Sequence, residues 1–125
     1  MSQPLSGRNI LIVEDESLVA MLLETILEDM GCTTVGPASS VEEGLALIEN
    51  GSALDGALLD VNVAGVKIFP IAEALAARDV PFVFSTGYGE GGLPDEWKGR
   101  PTLQKPFSEA AVQDALMTAL GMARV

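Results

Sequence analysis

Four short stretches carry the residues best suited to chemistry. Glu14 and Asp15 follow the apolar run Asn9-Ile10-Leu11-Ile12-Val13. Asp60 follows Ala57-Leu58-Leu59, Ser85-Thr86 follow Pro81-Phe82-Val83-Phe84, and Lys105 follows Thr102-Leu103-Gln104. The first three sets close short, mostly apolar runs, and Lys105 closes a short run around Leu103. Brought together, the three carboxylates would raise one another's pKa or recruit a cation. Magnesium suits such a site: it takes one or two carboxylates, keeps several waters and leaves room for phosphate oxygens. A carboxylate held there can act as a nucleophile towards phosphorus. Lys105 and Thr86 would add a positive charge and a hydrogen bond for the transferred phosphoryl oxygens. That chemistry is mostly positioning and electrostatics and needs no histidine.

The composition agrees. The chain has 125 residues, 18 Asp and Glu against 7 Lys and Arg, no His and one Cys, with a formal charge of −11 and 48% hydrophobic residues. That length suggests one domain, and the apolar content excludes disorder. The negative charge argues against nucleic-acid binding, which draws its affinity from Lys and Arg. Without His, and with Cys32 alone, there is no zinc cluster, no Ser–His or Cys–His pair and no disulfide framework. The stretch Met1 to Arg8 has no signal-peptide core, and no apolar run approaches the roughly 20 residues of a membrane span. An unpaired Cys suits a reducing compartment. The expectation is a cytoplasmic domain that engages neither membrane nor nucleic acid.

The elements that must position these residues can be read from periodicity. The run Asn9–Val13 lacks alternation, as expected of a strand buried on both faces. Val19, Leu22, Leu23, Ile26, Leu27 and Met30 recur at helical spacing up to Gly31. Cys32 to Val35 reads as a weaker strand closed by Gly36-Pro37. Ser40-Val41-Glu42-Glu43 is a capping box opening a helix to about Glu49. Ala57–Val61 is a third strand. Pro70 starts a helix to about Arg78, Pro81–Phe84 is a fourth strand and Thr102–Gln104 a fifth. Ser108 caps a last helix with the stripe Val112, Ala115, Leu116, Ala119 and Leu120. From Gly87 to Arg100, Gly87, Gly89, Gly91 and Gly92 followed by Pro94 disfavour a regular helix. A turn is expected around Asp95-Glu96-Trp97. Alternating strands and helices imply an α/β fold with a parallel sheet covered on both faces. Ligands of such sheets bind beyond the carboxyl ends of the strands. Glu14, Asp15, Asp60, Thr86 and Lys105 all fall there.

At this point the sequence resembles the bacterial response-regulator receiver (CheY-like) domains, over Arg8 to Leu120. The carriers are Leu11-Ile12-Val13-Glu14-Asp15-Glu16, Leu58-Leu59-Asp60, Phe84-Ser85-Thr86-Gly87 and Lys105-Pro106-Phe107. The resemblance implies a flavodoxin-like receiver fold: a doubly wound, five-stranded parallel sheet of order 2-1-3-4-5, here with a weak or missing fourth helix. Carried over position by position, Asp60 is the phosphoacceptor. Asp15 binds Mg²⁺ directly, Glu14 binds it through water, and the Asn62 carbonyl completes the protein ligands. Thr86 reaches for the phosphoryl group, Lys105 pairs with it, and the Lys105–Pro106 bond is cis. Phe84-Ser85-Thr86-Gly87-Tyr88 further resembles the "FAT GUY" subgroup, whose members are often single-domain receivers linked to HWE-type sensor kinases.

The implied function is a stand-alone response regulator of a two-component phosphorelay, spanning residues 1–125 with no output domain. It would accept a phosphoryl group from a sensor histidine kinase and signal to a partner through residues 86–105. It would catalyse only its own phosphorylation and dephosphorylation. The alternatives are a pseudo-receiver that docks without phosphorylation, and a phosphate sink for a shared kinase. Gly87 is expected to keep the phosphoryl pocket uncrowded. Tyr88 is either a sheltered loop aromatic or a gate against water. Two departures from the common pattern stand out. Thr102 replaces the usual switch aromatic, and Val63-Ala64 replaces the usual Met/Leu-Pro.

Overall fold

The computed structural model describes residues 5–50, 53–63, 65–86, 93–97, 99–105 and 107–121. The elements run β1 (Asn9–Val13), α1 (Ser17–Asp29), β2 (Thr33–Ala38), α2 (Val41–Glu49), β3 (Gly56–Asp60), β4 (Asn62–Val63), β5 (Val66–Lys67), α3 (Phe69–Ala77), β6 (Phe82–Thr86), β7 (Thr102–Gln104) and α4 (Glu109–Ala119). The main sheet has order β2-β1-β3-β6-β7, and every pairing in it is parallel. Leaving aside the small β4–β5 hairpin, this is the expected order 2-1-3-4-5.

The central strands are apolar on both sides because both sides are covered. Leu11, Val13, Ala57, Leu59, Phe82 and Phe84 pack with Ile48 of α2 and Ile71, Ala72 and Leu75 of α3. Ile10, Ile12, Leu58, Val83 and Leu103 pack on the other face with Leu23, Ile26 and Leu27 of α1 and Val112, Leu116 and Met117 of α4. Leu5 joins this second cluster and is fully buried. Cys32 is buried there too; its thiol donates to the Leu5 carbonyl at 3.4 Å, and burial raises its pKa.

Local signals act as expected at the helix starts. Ser40 accepts from the Glu43 N–H at 3.1 Å, while the Glu43 carboxylate returns to the Ser39 hydroxyl at 2.9 Å. Ser108 accepts from the Ala111 N–H at 3.1 Å. Pro70 sits in the first turn of α3. Among the described residues between β6 and β7, helical structure is confined to a 3-10 turn at Asp95–Trp97. Trp97 anchors that turn. It is buried, with ring centroids 5.8 Å from Phe82 and 6.2 Å from Phe84. The Arg100 guanidinium lies over both the Phe82 and Trp97 rings.

Two features differ from the sequence reading. First, β2 does not stop at Gly36-Pro37 but continues to Ala38. As an edge strand, paired on one side by β1, it tolerates a residue without an N–H where its register shifts between Leu11 and Val13. Second, the β4–β5 hairpin was not expected. It has two pairs, Asn62 with Lys67 and Val63 with Val66, too few for an alternating pattern to show. Gly65, with φ of +79°, permits the turn.

Candidate functional site

Each candidate side chain is placed by the end of a strand. β1 ends at Val13 and β3 at Asp60, and the two strands pair in parallel, Val13 beside Leu59. That register brings Glu14 and Asp15 to the edge where Asp60 stands. One carboxylate oxygen from each of the three lies within 4.8 Å of the other two. Glu14 and Asp60 are buried and Asp15 is exposed, so the cluster opens to solvent through Asp15.

Lys105 follows β7, the edge strand two places from β3. Its main-chain N–H donates to the Thr86 carbonyl at 3.0 Å, which extends the β6–β7 ladder to the edge. Its ammonium lies 3.3 Å from Asp60 Oδ2 and 3.2 Å from Glu14 Oε1. It also lies 3.6 Å from Glu16 Oε1, a contact absent from the sequence reading. Glu16 further shapes the cluster by donating its N–H to Glu14 Oε2 at 3.1 Å. The residue's place in the first acidic run was visible, but nothing in its type set it apart from other acids preceding a helix.

Electrostatics follow from this packing. Burial disfavours the charged Glu14 carboxylate, and the nearby Asp60 charge adds to that. Together they outweigh the Glu16 N–H and the Lys105 charge, so the Glu14 pKa rises from 4.5 to about 7. Glu14 Oε1 is buried and receives no aligned hydrogen bond, meeting Lys105 only as an ion pair. Burial pulls the Lys105 pKa down, but Asp60 and Glu14 more than offset it, and the net shift is upward. Lys105 therefore stays protonated through the neutral range. One ammonium among Glu14, Asp15, Glu16 and Asp60 leaves an excess of negative charge. All the side-chain donors are hard oxygens, the set that suits Mg²⁺, Ca²⁺ or Mn²⁺. The cluster, and the buried Glu14 oxygen that has no aligned hydrogen bond, fit such an ion.

Thr86 is the last residue of β6 and is buried. Ser85, given no role by the sequence reading, pairs with Asp60 in register and is 2% exposed. The main chain of Asn62 lies in β4, two residues past Asp60. The expectations for Gly87, Tyr88, Pro106 and the Lys105–Pro106 bond fall outside the described residues.

The description of the response regulator receiver domain matches residues 10–117. The chain belongs to that family. Receiver domains are signalling phosphoacceptors rather than enzymes with a separate substrate, and they work with histidine kinases and downstream partners. Among curated proteins, this receiver is 31% identical over 115 residues to the phyllosphere-induced regulator PhyR of Methylorubrum extorquens. The match covers 89% of this chain but only 43% of PhyR. Among solved structures, SdrG from Sphingomonas melonis Fr1 is 47% identical with a TM-score of 0.82. That match covers 98% of this receiver and 100% of the SdrG chain. The BeF3-activated conformation of SdrG, from Pseudomonas melonis Fr1, matches with a TM-score of 0.78 over 92% of this receiver and 98% of that chain, again at 47% identity. Among the described residues, no helix is long and apolar enough to cross a membrane.

Proposed function

We propose that this receiver is a stand-alone phosphorylation switch in which Asp60 accepts a phosphoryl group from the histidine of a sensor kinase. The observation that carries this reading is the cluster itself: Glu14, Asp15 and Asp60 oxygens within 4.8 Å, with the Lys105 ammonium 3.3 Å from Asp60. The match with SdrG, at 47% identity over 98% of this receiver, supports a receiver of the same kind. The BeF3-activated state of that relative supports the phosphoacceptor role.

In the proposed reaction, an Asp60 carboxylate oxygen forms a bond to phosphorus as the donor's phosphorus–nitrogen bond breaks. The electron pair of that bond leaves with the imidazole. Lys105 holds its charge beside the attacking carboxylate and counters the charge that builds on the phosphoryl oxygens. Thr86, at the neighbouring strand end, offers those oxygens a hydroxyl. Glu14, Asp15 and Asp60, with the Asn62 carbonyl, would hold Mg²⁺. When bound, the ion neutralises negative charge at the phosphoryl oxygens.

The added group brings roughly 1.5–2 negative charges, by analogy with other phosphorylated side chains. In our reading this draws Thr86 and Lys105 inward and reorders residues 86–105, which a partner then reads. An HWE-type kinase is the proposed donor and the cytoplasm the proposed location. The test is intact mass after incubation with acetyl phosphate and Mg²⁺. Gain of one phosphoryl group by the parent, and none by Asp60→Asn, supports the reading. No gain by the parent replaces it with a docking module that works unphosphorylated.

A further inference from the structure

Three buried side-chain atoms among the described residues have no hydrogen-bond partner: Glu14 Oε1, Trp97 Nε1 and Ser85 Oγ. The first faces Lys105 and the second lies among aromatic rings. Ser85 is different, because it sits at the phosphoacceptor without having been given a task. A buried hydroxyl with no partner is destabilising, so one kept at this place calls for a physical reason.

Sheet geometry supplies one. Lys105 follows the end of β7, yet its ammonium reaches Asp60 on β3. β6 lies between those strands. Neighbouring strands are about 4.8 Å apart, so the lysine stem must cross β6 to arrive. Leu58, Val83 and Leu103 belong to one core cluster and therefore line one face of the sheet. Side chains alternate along a strand. Asp60, Ser85 and Lys105, each two residues further on, belong to that same face. Asp60 pairs with Ser85, and Ser85 pairs with Leu103. Ser85 is thus the last described β6 residue on the face across which the Lys105 stem runs to Asp60.

Resting on the phosphoacceptor reading, we propose that Ser85 is a positioning residue for Lys105. In the unphosphorylated arrangement the ammonium is shared among Glu14, Asp60 and Glu16 at 3.2, 3.3 and 3.6 Å. Once a phosphoryl group stands on Asp60, the ammonium turns to its oxygens. An ammonium has three donors, and those that the phosphoryl group does not take go to other acceptors within reach. The Ser85 oxygen accepts one of them and holds the ammonium over the acceptor. The hydroxyl is unpartnered before phosphorylation because its task belongs to the phosphorylated state.

The test uses beryllofluoride with Mg²⁺, a tetrahedral stand-in for the phosphoryl group, titrated by amide NMR. The proteins are the parent, Ser85→Ala and Ser85→Cys, with Ser85→Ala repeated in a Lys105→Ala background. Ala and Cys are each expected to weaken beryllofluoride binding by about three- to tenfold, the effect of one hydrogen bond, with a melting temperature equal to the parent's or higher. In the Lys105→Ala background, Ser85→Ala is expected to change binding less than twofold, because the two residues act as a unit. Parent-like binding by either variant overturns the proposal. So does equal weakening in both backgrounds, which would make the hydroxyl act without Lys105. Acetyl phosphate labelling of the parent keeps the outcomes apart. A parent that gains a phosphoryl group while Ser85→Ala binds normally overturns only the Ser85 role. A parent that neither gains the group nor binds beryllofluoride overturns both readings.

Discussion

The Glu14→Gln substitution turns the physics of the cluster into a stability measurement. Glu14 is 2% exposed, with its Oε1 lacking an aligned hydrogen bond, and its pKa is raised from 4.5 to about 7. A carboxyl group with a raised pKa binds its proton more tightly in the folded than in the unfolded chain. Between pH 4.5 and about 7 the folded state therefore carries more protons. Stability from this group is fully present below pH 4.5 and is lost as pH rises through about 7. One pKa unit corresponds to about 1.4 kcal/mol, so the ionised Glu14 costs the ion-free fold about 3 kcal/mol at pH 8. Gln keeps the shape and cannot ionise. Urea unfolding in EDTA, at pH 5 and at pH 8, would measure the difference between variant and parent at each pH. Gln should be the more stable by about 2.5 kcal/mol more at pH 8 than at pH 5, since a little of the cost is already present at pH 5. Subtracting the two values removes the other acids, which both proteins share. A difference that does not change with pH would refute the claim that burial governs Glu14. Added Mg²⁺ should reverse the ranking at pH 8, because the ion stabilises the parent's carboxylate and not the amide.

Other outcomes follow from the same structure. Lys105→Met removes the ammonium that lies within 3.6 Å of Glu14, Glu16 and Asp60. It should destabilise the ion-free protein by about 1–3 kcal/mol in urea unfolding, less than a fully buried pair would because Lys105 is 21% exposed. Added Mg²⁺ should recover part of that loss. Trp97→Ala should cost about 3–5 kcal/mol, the usual range for a buried aromatic, read by circular dichroism. Ser108→Ala should cost about 1 kcal/mol by removing the cap on the Ala111 N–H. Ser40→Ala should cost a similar amount through Glu43.

The sequence revealed what rests on strong local periodicity. Runs such as Leu11 to Val13 and Ala57 to Leu59 are apolar without alternation because helices cover both faces. The residue types at their ends then placed Asp15, Asp60 and Lys105 at one sheet edge. Features that depend on tertiary register were less visible. Glu16 meets Lys105 only because β7 ends level with Thr86. Ser85 matters only because β6 lies between β3 and β7. Pro37 looked like a stop, since proline removes a ladder donor, but an edge strand with shifted register does not need that donor. Leu5 lies ahead of any periodic run, so its burial could not be read from spacing. Of the charge of −11, Glu16 brings a fourth acid to the site beside Glu14, Asp15 and Asp60, which raises its demand for a cation.

The central claim is that, of the clustered acids, Asp60 is the nucleophile. Borohydride reduces an acyl phosphate to an alcohol, so a phosphorylated aspartate becomes homoserine. The receiver, phosphorylated with acetyl phosphate and Mg²⁺, would be reduced, digested and sequenced by mass spectrometry. The account predicts homoserine at position 60 and unmodified Glu14, Asp15 and Glu16. Reduction product at position 15, or at none of these residues, would contradict it.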